Sequence, residues 1–173
     1  LRDAYQACLP LLSEYSTWIG QHKGLYNAYL ALKNSPEFAT YSVAQKKAIE
    51  NALRDFELSG IGLSEEKQKR YGEIVARLSE LSAQFSNNVL DATMGWEKVI
   101  EDESQLAGLP ESALLAAKQS AESKGLKGYR FTLEIPSYLP IMTYCENAAL
   151  REEMYCAYAT RASDQGPNAG KWD

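Results

Sequence analysis

The chain contains very little histidine: His22 is the only one among its 173 residues. A helical zinc site of the HExxH type requires two imidazoles one turn apart, and sites with three histidine ligands require more. Neither kind of site can be built from this chain alone. Because His22 lies at a bend between Gly20 and Gly24, we interpret it as an exposed or helix-capping residue and not as a catalytic one.

Cysteine, basic charge and long apolar runs are also scarce. The cysteines Cys8, Cys145 and Cys156 include no CxxC pair, which favours reduced thiols in a cytoplasmic protein. Lysine and arginine number 18 against 23 aspartates and glutamates, a net charge of −5 that argues against a nucleic-acid partner. The longest apolar stretch, residues 135–145, is shorter than the roughly 18 residues that a membrane span needs, so we expect no membrane partner.

Helical periodicity dominates what is present. Apolar residues recur at steps of three and four and predict two helices in series over about residues 3–33, then a helix over about 43–58. Ser42 and Gln45 have the spacing of a capping box at the start of the latter helix. The glycines at 60 and 62 lack the third glycine and the preceding strand of a dinucleotide-binding loop, so they predict a turn.

The clearest element is a helix of about 28 residues after Ser64. Its apolar residues keep the alternation of three and four throughout and form one stripe: Tyr71, Ile74, Val75, Leu78, Leu81, Phe85 and Val89.

A change of period predicts a small β element around residues 96–100 and 129–135, where apolar and polar residues alternate. Between them Pro110 and Gly125 bracket a further helix, and helical patterns resume at about 139–145 and 148–161. The expected fold is mainly α, a single helical domain or domain fragment over residues 1–173 with an inserted two-strand element. The pattern leaves parallel and antiparallel pairing open.

Two residue groups are candidates for function. The acidic run at residues 101–103 could supply ligands to a hard cation, but it lacks the spacing of a calcium loop, and a solvated acidic turn is favoured. Tyrosine is abundant, with 11 residues against four phenylalanines and three tryptophans. Tyrosines suit peptide-binding clefts and half-buried interfaces, and they suit ordinary helix packing equally well.

Four runs of residues carry a resemblance to a known family. They are LPLLSEYSTWIGQHKGLYNAY from Leu9, the long block QKKAIENALRDFELSGIGLSEEKQKRYGEIVARLSELSAQFSNNVLDAT from Gln45, GLPESAL from Gly108, and IPSYLPIMTYCENAALREEMYCAYATRASDQGPNAGKWD from Ile135. Together they resemble the thimet oligopeptidase family of zinc metallopeptidases. The resemblance covers essentially the whole chain and corresponds to the N-terminal portion of such an enzyme.

The resemblance implies a fold and an activity. Members are mainly helical enzymes in which two lobes flank a deep channel, so this chain is expected to be a multi-helix N-terminal lobe of a zincin-type oligopeptidase. The catalytic zinc of the family is bound by an HExxH helix and a downstream glutamate, and none of these ligands has a counterpart here. The resemblance therefore implies zinc in the parent enzyme, no zinc bound by this segment, and hydrolysis of short peptides, including cleaved signal peptides.

These implications define the predicted role of the chain. We expect it to form part of the substrate-channel wall, to have no catalytic residue of its own and to be inactive without the catalytic lobe. Tyr138 and Tyr144 follow the proline-marked end of the second strand and are the candidate channel residues. A non-catalytic helical interaction or scaffold module is the alternative.

The ends of the chain suggest an excised segment. It begins at Leu1, without methionine, and finishes in the glycine-rich loop of residues 164–173. Because a helix stripe separated from its partner lobe leaves apolar area uncovered, we expect the isolated segment to self-associate or to be partly disordered near its ends.

Overall fold

The computed structural model describes residues 1–166 and 169 of the chain. Contacts between Cα atoms divide it into two compact units, Leu1–Ala83 and Gln84–Asp173. Most described residues are helical, and a two-stranded sheet lies late in the chain. The predicted class, mainly α with a small inserted β element, is confirmed. The predicted C-terminal loop falls largely outside the described residues.

The first unit consists of helices in succession. These are α1 (Arg2–Gly20), α2 (Lys23–Lys33), α3 (Val43–Leu58) and the first part of α4 (Glu65–Met94), with a short 3₁₀ helix at Pro36–Thr40. The capping box predicted at the start of α3 is present. The hydroxyl of Ser42 accepts the Gln45 N–H at 3.3 Å, while the Gln45 side chain accepts the Ser42 N–H at 2.9 Å. These bonds satisfy two backbone donors that the first turn leaves without helical partners.

Aromatic packing joins α2 to α3. The ring of Phe56 lies 5.9 Å from the rings of both Tyr26 and Tyr29, centroid to centroid. The turn after α3 is held by Gln68, whose side-chain amide donates to the carbonyl oxygens of Gly60 and Ile61 at 3.1 and 3.2 Å. The turn predicted at the two glycines is confirmed.

Helix α4 carries the stripe predicted from the sequence, but much of that stripe is exposed. Ile74, Leu78, Leu81 and Phe85 keep 45, 57, 42 and 61% of their surface accessible. The periodicity identified the helix correctly and did not identify what covers its apolar face.

Antiparallel pairing organises the second unit and settles the pairing that the sequence left open. Strand β1 (Glu97–Ile100) lies against β2 (Tyr129–Thr132), with Glu97 opposite Thr132 and Ile100 opposite Tyr129. Gly128 precedes β2 with a φ of +85°, and a Cβ there would lie 2.4 Å from the Ile100 carbonyl oxygen. Only glycine allows the strands to start this close together.

Three helices complete this unit. They are α5 (Glu111–Glu122), α6 (Ile135–Tyr144) and α7 (Ala148–Ala159). Together with the sheet they enclose a core whose largest fully buried side chains are Phe131, Leu106, Leu133, Ile141 and Met154.

The second strand is shorter than predicted. It ends at Thr132, and residue Ile135, expected within the strand, is the first residue of α6 and is 53% exposed. Pro136 lies in the first turn of α6, where its missing N–H has no helical role and its fixed φ favours the helix. The Ser137 hydroxyl accepts the Thr132 N–H at 2.9 Å, which closes the strand onto the helix start.

A glycine substitution tests the packing of the turn before α5 against the end of α6. Gly108 has a φ of +89°, and a Cβ there would lie 2.2 Å from the backbone oxygen of Tyr144. We expect Gly108→Ala to lower the free energy of unfolding by about 2 kcal/mol or more, since both the backbone conformation and the close approach oppose a side chain. Urea denaturation followed by circular dichroism measures the change.

Gly62→Ala is the matched control, because a Cβ at Gly62 has no heavy atom within 4 Å and its φ is not in the left-handed region. Equal stability for the two variants would contradict the packing described for Gly108.

Candidate functional site

The candidate residue Tyr138 lies within a stack of side chains. Its ring is parallel to that of Tyr158 on α7, with centroids 4.2 Å apart and an angle of 17° between the planes. The guanidinium carbon of Arg161 lies 3.6 Å from the centroid of the same Tyr158 ring. Since two groups cannot share one ring face at these distances, Tyr158 lies between Tyr138 and Arg161.

Arg161 is fixed by two hydrogen bonds as well as by the ring. Its Nε donates to the Tyr158 carbonyl oxygen at 2.8 Å, and one terminal nitrogen donates to the Thr93 hydroxyl at 2.7 Å. The Thr93 hydroxyl in turn donates to the carbonyl of Val89 at 2.7 Å. The stack therefore joins α6, the end of α7 and the end of α4 within the second unit.

Sequence reasoning did not find this arrangement. Arg161 and Thr93 are 68 residues apart. Arg161 lies beyond the last residue of α7 and Thr93 lies near the end of α4, and periodicity within one helix carries no signal for a contact between two such distant residues. The only clue was the position of Tyr158 on the apolar face of α7.

The environment of Tyr138 disfavours ionisation of its phenol. Burial raises its pKa above the ordinary value, and the neighbouring Tyr158 and Tyr155 act in the same direction, while Arg161 opposes them. The phenol is neutral at physiological pH even with the ordinary tyrosine pKa of about 10, and these neighbours make it still harder to ionise.

Tyr144, the second candidate, is the last residue of α6 and is 54% exposed. It lies six residues after Tyr138, which at about 100° per residue separates the two side chains by roughly a third of a turn around the helix. The structure therefore does not bring the two tyrosines onto one face. The backbone of Tyr144 is nevertheless held in place. Gly108 packs closely against the Tyr144 carbonyl, and the nearby Glu146 N–H donates to the carbonyl of Ala107 at 2.9 Å.

His22 is a capping residue, as the sequence indicated. It precedes α2, and its Nδ1 accepts the Leu25 N–H at 3.1 Å. Its ring also meets the ring of Trp18 edge-on at 5.0 Å between centroids. A nitrogen that accepts this bond is not available to a metal ion.

The acidic turn after β1 is used for local hydrogen bonds. Asp102 accepts both the N–H and the hydroxyl of Ser104, at 3.0 and 2.7 Å, and these bonds lower the pKa of its carboxyl group. Glu103 accepts the Tyr129 hydroxyl, and that bond raises the pKa of Tyr129. This arrangement fits the solvated acidic turn favoured from the sequence.

No group of three or more His, Cys, Asp or Glu side chains among residues 1–166 and 169 is placed to hold a metal ion. The described part of the chain thus does not fit a zinc centre. In the same residues no helix has the length and apolar character required to cross a membrane.

Comparison with known sequences shows which proteins the chain is similar to. Residues 1–68 match the family model described as the N-terminal domain of neurolysin and thimet oligopeptidase. Together with the relatives below, this match confirms the predicted resemblance to the N-terminal portion of the thimet oligopeptidase family.

Over its whole length the chain is similar to oligopeptidase A. The chain is 88% identical over all 173 residues to oligopeptidase A of Haemophilus influenzae and 72% identical to that of Escherichia coli, spanning 25% of each. It is 41% identical over 170 residues to a probable cytosolic oligopeptidase A of Arabidopsis thaliana, of which it spans 24%. The chain thus spans about a quarter of the length of the curated relatives it matches.

A stability measurement tests the role of His22. We expect His22→Ala to lower the free energy of unfolding by about 1 kcal/mol, because the N–H of Leu25 loses its acceptor. His22→Asn should retain most of the stability, since asparagine is a favoured N-cap. Equal losses for both variants, measured by urea denaturation, would show that the cap is not what His22 contributes.

Proposed function

We propose that this chain is the N-terminal segment of a zinc-dependent metalloendopeptidase that hydrolyses short peptides, including cleaved signal peptides, in the cytoplasm. The observation that carries the proposal is the similarity to oligopeptidase A of Haemophilus influenzae. The two sequences are 88% identical over all 173 residues of this chain, which span 25% of the relative. In this proposal zinc is bound by the catalytic lobe, which is the partner of the segment, and oligopeptides are the substrates of the complete enzyme.

In this proposal the segment contributes peptide-contacting surface and no catalytic residue. No group of three or more His, Cys, Asp or Glu side chains among the described residues is placed to hold a metal ion, and the Nδ1 of His22 accepts a helix-capping bond. The candidate peptide contacts of the segment are both on α6: the exposed ring of Tyr144 and the half-buried phenol of Tyr138, which is stacked on Tyr158. Aromatic side chains with an apolar ring and a polar hydroxyl suit the wall of a peptide channel.

Substitution of the two tyrosines in the full-length enzyme tests the channel wall. We expect Tyr144→Ala to lower kcat/KM for a quenched fluorescent peptide by about 3- to 10-fold, the effect of losing one aromatic contact, and Tyr144→Phe to be nearly silent. Tyr138→Phe keeps the stack on Tyr158 and isolates the contribution of the hydroxyl.

Tyr5→Ala is the control, since Tyr5 is similarly exposed at 57% on α1. If neither tyrosine of α6 alters the kinetics while the melting temperature stays constant, the wall assignment is wrong.

The isolated chain should not hydrolyse peptides. We expect no turnover of the same peptide with or without added zinc, because the described residues hold no ligand set for the ion. The full-length enzyme under identical conditions is the positive control, and its activity should disappear with a chelator. Zinc-dependent turnover by the isolated chain would overturn the proposal that catalysis belongs to the catalytic lobe.

A non-catalytic helical interaction or scaffold module remains the second candidate function. The observation that favours it is the exposed apolar surface of the first unit, which includes Leu12, Tyr15 and Trp18 on α1 at 55, 59 and 56% exposure. The same surface underlies our proposal that the isolated segment self-associates. A full-length protein that hydrolyses no peptide in the assay above would favour the module.

A further inference from the structure

Helix α4 has two faces of different character. Gly72 lies close to Thr17 of α1, where a Cβ on the glycine would be 3.6 Å from the threonine methyl group. Ala76, one turn later, lines the same groove between α1 and α4. Small residues on this face let the two helices approach.

The large apolar residues of α4 lie on its other face. Ile74, Leu78, Leu81 and Phe85 follow at steps of four, three and four, which keeps them in one row along the helix. At about 100° per residue this row is roughly half a turn away from Gly72 and Ala76. The packing of α1 on α4 therefore cannot cover it.

The row has the composition of a helix-packing surface. Its four side chains are aliphatic or aromatic, and each keeps between 42 and 61% of its surface exposed. Along one border Arg70 and Arg77 donate to Glu73 and Glu80 at 3.0 and 2.6 Å, so those charges already have partners. An apolar face, and not a charged one, complements this row.

We propose that the row Ile74, Leu78, Leu81 and Phe85 is the docking surface for an apolar helix face from the part of the parent enzyme outside this chain. The inference rests on the proposed function. The choice of occupant is argued from the length of the relatives. The oligopeptidase A relatives align with this chain over only 25% of their residues, so most of such an enzyme lies outside the aligned part and can supply the helix. Burying four large apolar side chains in one row is what a packed helix does.

The test uses the full-length enzyme and two lysine substitutions on the same helix. Leu78→Lys places a charge in the row, whereas Gln84→Lys places it at an exposed position outside the row. We expect Leu78→Lys to lower the melting temperature by several degrees and Gln84→Lys to change it by less than about one degree. Equal melting temperatures for the two variants would overturn the proposal.

A milder pair covers the case in which the lysine variant does not fold. Leu78→Ala should still lower the melting temperature by a few degrees because a buried leucine is lost, and Gln84→Ala should not. Light scattering on the same samples examines a second copy as occupant. A full-length dimer that Leu78→Ala converts to monomer would assign the row to self-association and overturn the proposal.

The outcome is separable from that of the proposed function. Melting temperature reports the docking of the row, while hydrolysis by the unsubstituted enzyme reports the peptidase activity. A parent protein that is inactive on peptides but destabilised by Leu78→Lys would refute the function and retain the docking surface.

Discussion

The antiparallel pairing of β1 with β2 is the constraint on which the second unit depends. It joins segments about thirty residues apart and places Phe131 at the centre of the core. Helix α5, which connects the strands, packs back on β2, and α6 starts where β2 ends. The stack of Tyr138, Tyr158 and Arg161 is built on that frame, since α6 and α7 must first be in place to bring the rings together.

The first unit depends on a weaker arrangement. Phe56 and the two tyrosines of α2 form a small aromatic centre, and much of the apolar surface on α1 and α4 stays exposed. Each exposed apolar side chain forgoes the stabilisation that burial would contribute, about 1.5 to 3 kcal/mol when burial is complete. The exposed apolar surface links the two proposals. If the chain is the N-terminal segment of a larger enzyme, another part of that enzyme is available to cover the row on α4.

Much of the local structure was predictable from the residues. The capping box at Ser42, the end of α3 near Gly60 and the cap formed by His22 all depend on side chains within a few positions of one another. Local hydrogen bonds and backbone preferences determine such features, so a short stretch of sequence contains the information. The second strand was predicted too long because Pro136, at the start of α6, outweighed the alternation that continues to Ile135.

The surroundings of the candidate site residues could not be predicted from the sequence. Tyr138 and Tyr144 were chosen for one shared property, their position after the strand, and the structure gives them different surroundings. The helices, their caps and the family resemblance could be predicted without the structure, since each depends on neighbouring residues or on the order of residues along the chain. The antiparallel register, the contact of Arg161 with Thr93 and the exposed face of α4 became evident only from the folded chain. Those features depend on residues distant in the chain, and periodicity can mark an apolar face without specifying its partner.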